Sequence, residues 1–153
     1  MSVEKSKCAE AQMLIRKPAR QVFEAFIDPE ITKHFWFTKG SGKLEVGKKV
    51  TWTWEMYDVS SPAAATEIIQ DKKISIEWGE PATMVDFNFE SMHDGASTYV
   101  YIVHYGFDKT GADLVEAIKD STGGFTTVVD GLKAWLEHGI HLELVRDKFP
   151  KWK

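Results

Sequence analysis

The chain has 153 residues and a formal net charge of −4, with hydrophobic residues at 43% and charged residues at 27%. This is ordinary for one globular domain with a real core, read here as residues 1–153, and the charge favours neither a nucleic-acid backbone nor an anionic membrane as partner. A single cysteine, Cys8, excludes an internal disulfide, the opening MSVEKSKCAEAQ carries no apolar signal segment, and no run approaches the ~18 apolar residues that span a bilayer, so the chain reads as cytoplasmic.

Ala9 to Lys17 alternates, with Ala11, Met13 and Ile15 on one face, and reads as a first strand. Cys8 just before it reads as an inert thiol in a loosely ordered N-terminus. Pro18 suits the first turn of a helix carrying Val22, Phe23, Phe26 and Ile27 at helical spacing. Asp28-Pro29-Glu30 then closes this helix and opens a second, with Asp28 as N-cap, Pro29 at the first position and Glu30 in the first turn. The second helix is expected to run to about Phe35 and to end in the ring cluster Phe35-Trp36-Phe37.

From Lys43 to Phe107 the period changes to two. Val50, Trp52, Trp54 and Met56 share one face; Ile74, Ile76 and Trp78 share another, against Lys73, Ser75 and Glu77; Val85, Phe87 and Phe89 share a third. Ala63 to Gln70 is a shorter strand. Turns are expected at Asp58 to Pro62, Gln70-Asp71, Gly79-Glu80-Pro81 and Asp94-Gly95. Consecutive strands with short breaks predict an antiparallel meander. Tyr99 to Tyr105 is apolar or aromatic on both faces, which predicts that its outer face is covered by a partner subunit or a terminal segment.

Leu114, Ile118, Phe125, Val128, Val129, Leu132, Trp135 and Leu136 then repeat at three- and four-residue steps within Thr110 to Gly139. Asp113 is the expected N-cap and Gly139 the expected C-terminal glycine. A helix this long measures roughly 40 Å, enough to cross the domain. Gly123-Gly124 is expected to mark a bend, with the first half of the helix able to gate whatever lies beneath it. The tail, Ile140 to Lys153, carries Ile140, Leu142, Leu144, Val145, Phe149 and Trp152 and is expected to pack down. The fold class is therefore α+β, with helices on one face of an antiparallel sheet.

Four stretches carry a family resemblance. They are IRKPARQVFEAFIDPEITKHFW, TMVDFNFE with VYIVHYGF, GGFTTVVDGLKAWLEHG, and LVRDKFP. In this order they resemble the activator-of-Hsp90-ATPase-homologue-like branch of the START-like (SRPBCC, Bet v 1-like) superfamily, over nearly the whole chain. Phe125 stands where the family usually has Trp, and Val128 where it usually has Leu. The resemblance implies a helix-grip fold, in which a curved antiparallel sheet wraps a long C-terminal helix and two short helices close one end. It also implies an apolar cavity between sheet and helix.

The chemistry follows from what would line such a cavity. Six Trp and nine Phe give more ring surface than a core of this size requires. The candidate ligand-binding residues are Trp36, Trp52, Trp54, Trp78, Phe87, Phe125 and Trp135, with Val129 and Leu132 on the helix face, and His104, whose parity places it inward with Val100 and Ile102. Glu55, Asp86 and Asn88 have outward parity, so no carboxylate pair for glycosidase chemistry is indicated. No catalytic residue, cofactor motif or metal site is indicated. His138-x-x-His141 straddles Gly139, there is no G-x-S-x-G, and Gly40-x-Gly42 and Gly123-Gly124 lack the strand-to-helix context of a phosphate loop. The leading expectation is a non-enzymatic domain that binds a small apolar or aromatic, lipid-like ligand. The alternatives are a protein-interaction module, either a homodimer or the stress-response chaperone partner that the family name implies, and a cyclase- or hydrolase-like enzyme resting on His104, joined by Tyr57 or Tyr101 if the strand register slips by one.

Overall fold

A computed structural model describes residue 4 and residues 7–151. Strand β1 (Ala9–Ile15) is followed by helices α1 (Ala19–Ile27) and α2 (Pro29–Thr32), then strands β2 (Lys39–Gly40), β3 (Lys49–Trp54), β4 (Val59–Ile69), β5 (Lys73–Trp78), β6 (Thr83–Met92) and β7 (Ser97–Tyr105). Helix α3 (Gly111–His138) and a short α4 (Leu144–Lys148) complete the chain. The sheet order is β1-β7-β6-β5-β4-β3-β2, antiparallel throughout. β2 to β7 form the expected meander, and β1 returns to the far edge beside β7. A bulge in β4 between Ala65 and Glu67 adds curvature, so the sheet curls around α3. This is the helix-grip architecture. No helix among the described residues is long and apolar enough to cross a membrane.

The local chemistry explains most boundaries. Asp28 accepts a hydrogen bond from the Glu30 N–H at 3.0 Å, with Pro29 at the first helical position. α2 stops at Thr32, three residues before the expected Phe35. Phe35, Trp36 and Phe37 are all buried, and a helix, turning about 100° per residue, cannot aim three consecutive side chains at one core. Thr32 locks the exit by donating its hydroxyl to the Ala25 carbonyl at 2.5 Å, with the Asp28 carbonyl 3.0 Å from the same oxygen. β3 ends at Trp54, not Met56, because a single 3₁₀ turn (Glu55–Tyr57) and a left-handed Asp58 (φ 52°) reverse the chain.

The turn ends at Asp58, and Val59–Pro62, expected as part of it, belongs to β4. Those residues read as turn-like because they lie at the exposed end of the sheet. Ser75, expected outward, is buried against Asp86, to which its hydroxyl donates at 2.8 Å. Cys8, expected in a loose terminus, is buried beside the start of β1. The outer face of β7 (Tyr99, Tyr101, Val103 and Tyr105) is half-buried between its neighbours β1 and β6.

Helix α3 begins at Gly111, so Thr110 and not Asp113 occupies the cap position, without a side-chain cap bond. Gly111 at φ 56° makes this opening turn, which glycine adopts without strain. Asp113 lies in the first turn, where its charge suits the helix dipole. Gly139 closes the helix in the left-handed region (φ 66°), its N–H on the Trp135 carbonyl at 2.8 Å. The helix assignment runs unbroken through Gly123 and Gly124. The tail docks through α4: Val145 packs on the core, while Ile140, Leu142 and Phe149 remain about half exposed. Trp152 lies outside the described residues.

The second half of α3 is the clamped half. Phe125, Val128, Val129 and Leu132 are buried against the sheet. Lys133 donates to the Leu14 carbonyl at 2.8 Å and to Glu137 at 2.7 Å, and the same Glu137 oxygen accepts the Arg16 N–H at 2.8 Å. The helix thereby satisfies backbone groups at the end of edge strand β1, which no other strand could reach. Gly131 lets α3 touch the loop after α2, since a Cβ there would lie 3.2 Å from both the Phe35 carbonyl oxygen and its Cβ. A Cβ on Gly124 would meet nothing within 4 Å. Urea unfolding should therefore separate the two glycines: Gly131→Val is expected to lower stability by about 2 kcal/mol through overpacking, and Gly124→Ala to raise it by up to ~1 kcal/mol through helix propensity.

Candidate functional site

Trp36 stands at the centre of the ring cluster. Its ring centroid lies 5.0 to 6.2 Å from those of Phe37, Trp52, Trp54, Trp78, Phe87 and Phe125. Strands β3, β5 and β6, the loop after α2, and helix α3 each contribute to it. The rings on the β6 side pack tightly with α1, as in Phe26 against Phe87 at 5.0 Å and Phe23 against Phe89 at 5.7 Å. On the β4 side the packing stops, and a cavity of about 840 Å³ opens between the sheet, the first half of α3, and α4.

Five of the ten residues expected at a site line this cavity: Trp36, Trp54, Trp78, His104 and Phe125. The other five do not. Trp52 stacks on Phe37 at 4.9 Å, and Phe87, Val129 and Leu132 are fully buried in the core. Trp135 lies outside the cavity lining and stacks on His34 at 3.9 Å, with an interplanar angle of 15°. Parity along a strand or helix marks a residue as inward, and most inward residues meet other rings before they meet a void.

The rest of the lining, apart from Tyr57, was not anticipated. Val59, Ser60, Ser61 and Pro62 of β4 form one wall, Ala117, Ser121 and Gly124 of α3 another, and Tyr57, Val145 and Phe149 a third. The Tyr57 hydroxyl donates to the Val145 carbonyl and so ties α4 to the sheet. Glu80, Lys109, Asp120 and Lys148 also border the cavity and are exposed, so they mark its mouth, two of each sign. One sequence signal could have found Ser121: it stands four residues before Phe125, a polar residue on an otherwise apolar stripe.

The floor has one polar feature. His104 Nε2 lies 2.7 Å from Thr83 Oγ1, and His104 Nδ1 lies 2.6 Å from Ser121 Oγ. Thr83 also donates to the Trp78 carbonyl at 3.0 Å. Since a hydroxyl has one proton, the network satisfies all three contacts in one arrangement: Thr83 donates to Trp78, His104 Nε2–H donates to Thr83, and Ser121 donates to Nδ1. Burial pushes the imidazole down to about 4, so it is neutral at pH 7 and Nδ1 is an acceptor. Trp78 also holds a buried Nε1–H without a partner among the described residues. His138 and His141 do not converge on a common centre: each lies 3.8 Å from a different glutamate, Glu137 and Glu143.

The His104 shift fixes the sign of a pH effect. A histidine whose folded value lies near 4 binds fewer protons folded than unfolded between pH 4 and 6.5, so its contribution is complete above 6.5 and is lost as pH falls toward 4. Between pH 7 and 4.5 the wild type should lose about 2 kcal/mol more stability than His104→Gln, measured by urea unfolding at both pH values. Equal losses would show that His104 is not held neutral.

Comparison with known proteins bears on the whole chain. No match was found among curated proteins. Among solved structures, the chain is similar to protein SSP2350 from Staphylococcus saprophyticus, at 30% identity and a TM-score of 0.77 over 88% of this chain and 95% of that one. It shares its fold with protein MLL2253 from Mesorhizobium loti, at 17% identity and a TM-score of 0.73 over 87% and 98% of the two chains. It shares it also with Aha1 from Colwellia psychrerythraea, solved as a dimer in solution, at 17% identity and a TM-score of 0.71 over 86% and 97%. A family model matches residues 16–137, from the end of β1 to the clamped end of α3, and the chain belongs to the family of activator of Hsp90 ATPase homolog 1-like proteins.

Proposed function

We propose that this protein is a binding domain for a small, largely apolar or aromatic, lipid-like ligand held between the sheet and α3. The observation that carries this reading is the cavity of about 840 Å³, floored by Trp36, Trp54, Trp78 and Phe125. Its size lies within the usual range of ligand pockets, roughly 300–1,000 Å³, and its lining has their character: mostly rings, with few placed polar groups.

The enzymatic alternative rests on Ser121 and His104, which have the outline of a nucleophile and a base. The imidazole works against it. A base with a value of about 4 is a weak proton acceptor at neutral pH, three units below the range in which general bases work best. Thr83, a neutral hydroxyl, stands where a carboxylate would have to raise that basicity. The pair is better suited to hold a ligand than to transform one.

Tryptophan fluorescence tests the reading. Titration with fatty acids and polycyclic aromatic compounds should give a saturable change from the rings of the cavity floor. Gly124→Leu, which places a side chain in the open space, should weaken binding at least tenfold with no fall in the urea midpoint. No response across the panel would contradict the proposal.

A second reading, a homodimer, is favoured by the half-exposed strip of Tyr99, Tyr101 and Val103 on β7, and the Colwellia relative is a dimer in solution. Sedimentation at micromolar concentration should give a dimer that Tyr101→Lys dissociates; a wild-type monomer removes this reading.

A further inference from the structure

The polarity of the cavity floor is set by hydrogen-bond direction. Ser121 has one hydroxyl proton, and it is committed to His104 Nδ1 at 2.6 Å. His104 cannot return a proton along that bond, because its own N–H points the other way, to Thr83, whose proton is committed to the Trp78 carbonyl. The chain of donors therefore runs in one direction, from Ser121 toward the Trp78 carbonyl. Ser121, which lines the cavity and is only partly buried, is left with a free lone pair and no free proton.

No charged residue accompanies it on the floor. Trp78, Phe107 and Phe125 surround His104 at this end, with ring centroids 4.5 to 5.6 Å away, and the charges Glu80, Lys109, Asp120 and Lys148 are exposed at the mouth. An ionised ligand group on the floor would lose its water and find no counter-charge. The indole N–H of Trp78, without a partner among the described residues, is sealed from solvent.

We infer that the ligand is an uncharged aromatic compound bearing a hydroxyl or N–H donor, a phenol in the simplest case, which inserts donor-first and hydrogen-bonds to Ser121 Oγ. This rests on the binding reading above and adds the ligand's polarity to it. The phenol extends the existing chain by one bond, ligand to Ser121 to His104 to Thr83 to Trp78, in which each bond polarises the next. A ligand presenting an ether or carbonyl oxygen would instead set two acceptors against each other.

The test uses two probes that differ in one group, hydroxypyrene and methylpyrene, titrated by fluorescence at pH 7 into wild type, Ser121→Ala and Ser121→Thr. Ser121→Ala is expected to weaken hydroxypyrene about tenfold, the loss of one buried neutral hydrogen bond, and to leave methylpyrene unchanged. Ser121→Thr, which keeps the hydroxyl, should restore hydroxypyrene to within a few-fold of wild type. The difference between the probes removes any general effect of the substitution on packing. If Ser121→Ala weakens both probes equally, or neither, the donor assignment is overturned and the binding domain stands. If neither probe binds the wild type, both fall together.

Discussion

A helix one side chain wide cannot fill a curled sheet of seven strands. That constraint, and the ring of Trp36 that answers half of it, governs the rest of the structure. Trp36 arrives from the loop after α2 and meets rings from β3, β5, β6 and α3. Each such aromatic pair adds about 0.5–1.5 kcal/mol to the stabilisation from buried area. The cluster fixes the distance between sheet and helix, and so fixes the void on its other side. The same rings that close the core on the β6 side become the floor of the cavity on the β4 side.

Helix α3 divides along the same line. From Phe125 onward it is buried, and Lys133 and Glu137 fasten it to the backbone of β1. Before Phe125 it spans the cavity, with Ala117, Ser121 and Gly124 turned to open space and Val115 exposed. Gly131 and Gly124 express this division in one residue type. One is needed because a backbone comes within 3.2 Å of its missing side chain, whereas the other borders a void. Among the described residues, the hydrogen-bonded line from Ser121 through His104 to Thr83 ties this spanning half to the sheet.

Much of the fold was legible in the sequence because the relevant signals are periodic. The change from period 3.6 to period two located the meander, and the apolar stripe located α3. Asp28-Pro29-Glu30 marked a helix start whose capping bond is present at 3.0 Å. Boundaries set by tertiary demand were not legible. α2 stops early so that three consecutive rings can face inward, and Val59–Pro62 joins a strand whose exposed composition reads as a turn. At the site, parity placed His104 inward correctly, but parity cannot tell a void from a neighbour. Trp54 and Trp135 both lie on apolar faces in the sequence, yet one borders the cavity and the other stacks on His34 outside it. Ser121 was passed over because a lone serine in a helix is unremarkable until its partner across the sheet is known.

The most direct test of a ligand seated on one side of the ring cluster is to follow the indole N–H resonances of the tryptophans by NMR during titration with hydroxypyrene. The account predicts shifts at Trp54 and Trp78, which line the cavity, and none at Trp52 and Trp135, which stack on Phe37 and His34 outside it. Shifts confined to Trp135, or no shift at any indole at saturating ligand, would contradict it.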